Sequence, residues 1–177
     1  MNEYGQCEHN GLSNYITHLS HLEVAARDFC LLVEHVELYK DQQWLPDLAR
    51  ILPRIQSSMT HLDDLGMEYS FFLLPDLEER FELYCRLKHR LGVHDNYPME
   101  HDSDSVPEEM TGSLAGDLAD IYFELKRGLN LANNVDTCKI DLLRLWQTGY
   151  ILHWGERLLY AQRHLFSLRI DHGYDLR

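Results

Sequence analysis

Two imidazoles and a guanidinium line up along the segment ILHWGERLLYAQRHL, residues 151 to 165. In a helix turning by about 100° per residue, His153, Arg157 and His164 fall within roughly 40° of one another, beside Tyr150 and Tyr160. A column of carboxylates comes from SLAGDLADIYFELKRGL, where Asp117, Asp120 and Glu124 recur at spacings of three and four beside an apolar stripe. Together the two columns hold the ingredients of acid and base chemistry, or of a Mg²⁺ site on paired carboxylates. They hold equally the ingredients of a structural seam, because an arginine on a packed helix is heavily penalised unless a carboxylate meets it. The reading adopted is the seam. Asp117, Asp120 or Glu124 is expected to pair with Arg157 or His153, with Tyr122, Trp154 and His164 completing a polar and aromatic network. Trp154, next to Gly155, is expected to fix the crossing of the two helices.

Metal chemistry finds only fragments, although the chain has 11 histidines. Helix-bundle di-iron sites need Glu-x-x-His on two helices, and neither that spacing, nor Asp-x-x-His, nor His-Glu-x-x-His occurs here. What remains are His18 with His21, His61 with Asp64, and His153 with Glu156, each three apart. The weak candidates for a metal are therefore His153, Glu156, Asp117 and Asp120, and no cofactor is predicted. There is no Gly-x-Ser-x-Gly and no phosphate-cradling glycine loop. Cys30 reads as packing rather than as a nucleophile, since nothing near it in sequence would lower its pKa.

Charge narrows the classes of partner. Sixteen Lys and Arg against 29 Asp and Glu give a net charge of -13. Such a field repels phosphate backbones and anionic lipid, so neither nucleic acid nor membrane is an expected partner, whereas a basic protein would be attracted. The N-terminal MNEYGQCEHN carries neither a basic nor an apolar segment, and no run of 18 apolar residues occurs. Four cysteines without a Cys-x-x-Cys pair suit reduced thiols. These features point to the cytoplasm.

The elements that must position these side chains are helices. A chain of 177 residues, 45% of them apolar, suits one domain with a sizeable core. Residues 1–13 read as an N-terminal tail. Tyr15, Leu19, Leu22, Ala26, Phe29, Val33 and Val36 then mark one face of a helix over 15–39, with Asn14 as its cap. A second helix runs from Trp44 to Leu62 with a kink or break expected at Pro53. A third begins with Pro75 in its first turn and ends before Gly92, its inner face marked by Leu77, Phe81, Tyr84 and Leu91. Residues 92–112 read as a long acidic loop. Ser113 caps a fourth helix, striped by Leu114, Leu118, Ile121, Tyr122, Leu125 and Leu129. After a turn at NNVDT, a last helix spans 138 to 168, with a bend expected near Gly149 or Gly155. No run alternates at period two for long enough to make a sheet. The expected architecture is an all-α bundle of about five helices.

Two segments carry a resemblance. SLAGDLADIYFELKRGL is similar to the hallmark helix of a bacterial all-helical family described only as a domain of unknown function, number five thousand and sixty-three, and WQTGYILHWGERLLYAQRHL resembles its closing His-Trp-Gly helix. The matching positions are Leu118, Ala119, Asp120, Ile121, Tyr122, Leu125, Lys126, Gly128 and Leu129, then Trp146, His153, Trp154 and Gly155. Weaker similarity around ARILPRIQSSM extends it over most of the chain. The resemblance implies a fold and no activity. The family pattern tends to carry a further His where this chain has Arg157, which weighs against a site of paired imidazoles.

The functional expectation is a non-catalytic module that binds a protein partner, a basic one by charge, in the manner of an antitoxin or immunity protein. The alternative is a small metal-binding protein or metal-dependent enzyme with its site between the fourth and fifth helices, at Asp117, Asp120, His153 and Glu156.

Overall fold

A computed structural model describes residues 4–39, 41–60, 77–99, 111–134 and 138–172. The first helix, α1, runs Tyr4–Glu34. Residues 4 to 13 are thus helical rather than a tail, and Asn14 lies inside the helix instead of capping it. No proline interrupts this stretch, and Gly5 and Gly11 cost only about 1 kcal/mol each in a helix, too little to stop one anchored by a buried face. That face is Leu19, Leu22, Ala26, Phe29 and Val33. A 3₁₀ turn, Val36–Leu38, follows.

Helix α2, Asp41–Thr60, continues without a break through Pro46 and Pro53. Pro53 sits on the exposed side, away from the buried Trp44, Leu48, Ile51, Leu52, Ile55 and Met59. Trp44 Nε1 donates to the carbonyl of Leu32 at 3.0 Å and ties α2 to α1. The expected helix end at Leu62, the Pro75 position and the His61–Asp64 pair lie outside the described residues.

In α3, Leu77–Leu91, the expected inner face needs correction. Leu83, Leu87 and Leu91 are buried, whereas Leu77 is 71% exposed and Phe81 64%. The helix carries two apolar lines, and the line of leucines at spacing four lies against its neighbour, turning the Leu77–Phe81 line outward. Gly92, at φ +54°, closes α3 in the left-handed conformation that a residue without Cβ adopts readily.

The expected loop over 92–112 is partly built. A 3₁₀ turn, Gly92–His94, leads into β1, Asn96–Pro98, which pairs antiparallel with β2, Thr111–Ser113. Residues 100–110 lie outside the described residues. Strands of three residues are too short to leave a period-two signature, so the sequence does not announce this sheet. Tyr97 faces Gly112 across it, and the ring lies so close that a Cβ at 112 would be 2.2 Å from it.

Helix α4, Leu114–Ala132, starts at Ser113, whose hydroxyl accepts from the Gly116 N–H at 3.2 Å. A carboxylate serves the same end: Asp95, 1% exposed, accepts from the Ala115 N–H at 2.7 Å and from the Ser113 hydroxyl at 3.0 Å. The first-turn donors of α4 are thereby satisfied from two sides. Helix α4 is the hub, packed against α1, α3 and the C-terminal rod. That rod comprises α5, Lys139–Gly149, a π-helical turn Tyr150–Trp154, and α6, Gly155–His172. Counted as one helix, it makes five among the described residues. Where a bend near Gly149 or Gly155 was expected, the π turn lies between the two glycines. Gly155 donates its N–H to the Tyr150 carbonyl five residues back, and a Cβ at 155 would be 2.4 Å from that oxygen. Among the described residues, no helix is long and apolar enough to cross a membrane.

Candidate functional site

The carboxylates of α4 and the guanidinium of α6 meet. Arg157 Nη1 donates to Asp117 Oδ1 at 3.3 Å, and its Nε stands 3.4 Å from Asp120 Oδ2. Two further elements complete the cluster. From β1, Tyr97 donates its hydroxyl to Asp117 Oδ2, and from α3, Arg80 donates to Asp120 Oδ1. Each of the four carboxylate oxygens therefore faces a donor or a cation, and three elements converge on one turn of α4. The burial is graded. Asp117 is 1% exposed, whereas the Arg157 side chain is 48% exposed, so the guanidinium caps the seam from its outer edge instead of lying in the interior.

Burial dominates the electrostatics of Asp117. Loss of solvent, helped by the neighbouring charge of Asp120, raises its pKa to about 6, although Tyr97 and Arg157 both favour the ionised form. Tyr97 is pushed well above the phenol range, first by burial and then by its bond to Asp117. For Arg157, burial works against the charge, but Asp120 and Asp117 outweigh it and hold the guanidinium above its ordinary value.

The other expected members go elsewhere. Tyr122 donates to Glu34 Oε1 of α1 at 2.8 Å, and Lys126 donates to the same oxygen. Burial raises the pKa of Glu34, but the bonds from Lys126 and Tyr122 outweigh it and leave Glu34 below the usual carboxylate range. Glu124 accepts from Arg127 at 2.9 Å and approaches Gly149, where the Trp154 indole also lies. Trp154 is fully buried and its Nε1 has no hydrogen-bond partner, so it enters the core as a ring and not as part of a polar network. Its ring makes an edge contact with Tyr150, centroids 5.0 Å apart. His153 is exposed. His164 is buried, its Nε2 2.7 Å from the His94 carbonyl and its ring 4.9 Å from that of Tyr97. Glu156 accepts from Tyr160 at 2.9 Å. The single line drawn through His153, Arg157 and His164 is broken by the π turn. One extra residue in a turn shifts the phase by about 100°, enough to leave His153 on the solvent side.

Asp117, Asp120 and Arg157 were thus visible in the sequence, while Tyr97, Arg80 and Asp95 were not. Tyr97 lies in a segment without periodicity, and Arg80 has the look of a solvated charge among the glutamates that open α3. Asp95 lies in the same aperiodic segment, eighteen residues ahead of the Ser113 hydroxyl that it binds. Burial pushes the Cys30 thiol up to about 12, which keeps it protonated. Among the described residues, no three His, Cys, Asp or Glu side chains come together as a group able to hold a metal ion.

The family model described as a domain of unknown function (DUF5063) matches residues 14–171. The chain belongs to that family. A crystal structure of protein BF1032 from Bacteroides fragilis superposes with a TM-score of 0.71, covering 86% of this chain and 92% of that one at 22% identity. At that identity the likeness is one of fold. No curated protein matches the chain.

Proposed function

We propose that this member of the family is a non-catalytic binding module that captures a basic protein partner on the N-terminal half of α3. The observation that carries the reading is a mixed apolar and acidic surface: Leu77 and Phe81 stand 71% and 64% exposed, one turn apart, among Glu78, Glu79 and Glu82. Large apolar side chains left outside a core mark contact surfaces when they cluster, and acidic neighbours select a cationic partner. Arg80, the cation among them, is turned toward Asp120 and neutralised there. A second apolar line, Leu159, Phe166 and Ile170, is exposed on α6, but Arg163 and Arg169 stand beside it together with Glu156 and Asp171, so the charges around it offset one another. The net charge of -13 adds long-range attraction for the same class of partner. The engaged carboxylates of the seam support the non-catalytic half of the proposal, because each oxygen of Asp117 and Asp120 already faces a donor or a cation.

The test compares affinity captures from the native host using the wild type and the double variant Leu77→Ser, Phe81→Ser. An identified basic protein that is retained by the wild type, lost with the variant and weakened by added salt is the expected result. Capture that is indifferent to the substitutions, or an acidic partner, refutes the assignment. Stoichiometric metal in the purified protein would overturn it in favour of a metal-dependent function.

A further inference from the structure

The exposed apolar line of α6 has an internal order that the α3 surface lacks. Leu159, Phe166 and Ile170 are 53%, 62% and 64% exposed, and Arg163, exposed as well, stands among them. Because α6 runs without a break from Gly155, these four fall within about 60° of one another, opposite the buried Leu158, Ala161, Leu165 and Leu168. They follow one another at spacings of four, three and four. That order reads the same in both directions. The line is therefore its own complement when a second α6 is laid against it antiparallel, as in an isologous two-fold contact.

In that pairing Leu159 lies opposite Ile170 of the second copy and Arg163 opposite its Phe166, and each contact occurs twice. The two apolar pairs close the ends of a contact about 16 Å long, and at its centre each guanidinium can lie over the facing phenylalanine ring. The flanking positions bring no like charges together, since Tyr160 faces Ser167 and Gln162 faces Arg169. A parallel pairing is worse, because it sets Arg163 against Arg163 and Glu156 against Glu156. Charge also argues against a foreign occupant. Arg163 and Arg169 are offset by Glu156 and Asp171, so neither a basic nor an acidic protein is selected. A chain of net charge -13 repels its own kind at long range, so self-association needs a face on which the charges are offset, and this face provides one.

We propose that two copies of this chain associate through their α6 helices, packed antiparallel along Leu159, Arg163, Phe166 and Ile170. The inference does not rest on the assignment of a basic partner to α3.

Sedimentation equilibrium of the full chain, from about 5 µM to about 1 mM, tests it. One helix pair makes a small interface, so a reversible dimer with a dissociation constant below about 300 µM is expected. Phe166→Arg sets a guanidinium against Arg163 of the second copy, and Arg163→Glu sets a carboxylate against the negative face of the Phe166 ring. Each is expected to weaken association at least about tenfold while circular dichroism stays unchanged. An equimolar mixture of the two variants is expected to recover the dimer, because the new carboxylate then faces the new guanidinium. The double variant Leu77→Ser, Phe81→Ser is expected to associate as the wild type does. A wild type that stays monomeric throughout overturns the proposal, as does association that neither α6 substitution weakens. Loss of association in the α3 double variant places the contact elsewhere and overturns it equally, and a mixture that stays monomeric refutes the pairing of 163 with 166.

Discussion

The replacement of Asp117 by Asn isolates the physics of the seam. Asp117 ionises near 3.8 when unfolded and near 6 when folded. An acid whose folded pKa is raised binds its proton more tightly in the native state, so native stability falls as pH rises between those two values and is flat above about 6. At 1.36 kcal/mol per pH unit, the gap corresponds to about 3 kcal/mol of destabilisation from ionising this group. Every other titrating group also contributes to the pH profile, so the useful quantity is the difference between wild type and Asp117→Asn, measured by urea unfolding from pH 4 to pH 7.5. The three tryptophans, Trp44, Trp146 and Trp154, are all buried and report the transition by fluorescence. Relative to the wild type, the Asn variant should gain about 2–3 kcal/mol on going from pH 4 to pH 7.5, because the uncharged amide is spared the desolvation that the carboxylate suffers. A difference that stays flat across the window would refute the account. A difference of opposite slope would mean that Arg157 and Tyr97 outweigh burial and that the carboxylate is depressed instead.

Three further substitutions probe the frame that positions these groups. Gly155→Ala would stabilise an ordinary helix by about 1 kcal/mol. Here the new Cβ meets the Tyr150 carbonyl at 2.4 Å, so a loss of about 1–3 kcal/mol is expected in a thermal or urea melt, and a gain would contradict the π turn. Trp154→Ala empties a fully buried site and should cost about 3–5 kcal/mol, a value a melt would resolve easily. Asp95→Ala removes an acceptor from the Ala115 N–H and the Ser113 hydroxyl, and should cost about 2 kcal/mol, with increased hydrogen exchange confined to the first turn of α4 and the hairpin. Uniform exchange across the molecule would show that Asp95 does not act at that helix end.

The helical content was legible because burial on one face of a helix imposes a long period on the sequence, and α1, α2 and α4 each repeat it over four or more turns. Where two apolar lines share one helix, period alone does not say which is inside. On α3 the leucines at 83, 87 and 91 and the pair Leu77 and Phe81 are both periodic, and only the leucines pack. Pairing across the α4–α6 contact was legible for Arg157, because a guanidinium among leucines and aromatics demands a carboxylate and α4 offered one in phase. The hairpin contribution was not. Tyr97 reaches Asp117 from a strand of three residues, a length at which neither propensity nor alternation rises above the composition of the surrounding acidic segment.

The π turn explains why the helical wheel placed His153 and Arg157 together and the molecule separates them. A regular helix through Tyr150–Trp154 would keep His153, Arg157 and His164 on one face. The extra residue rotates everything after it relative to everything before, which leaves Trp154 facing the core, His153 facing solvent and Arg157 at the edge of the seam. The same rotation sets Tyr160, Arg163, His164 and Ser167 on the side of α6 that faces the 3₁₀ turn and β1, since they follow on α6 without a further break. Gly155 permits the five-residue hydrogen bond by having no Cβ to strike the Tyr150 carbonyl. One glycine therefore fixes the phase of α6 for both the polar seam and the packing of Tyr160 and His164 against Tyr97, and a change there should be felt at Asp117 and at these rings together.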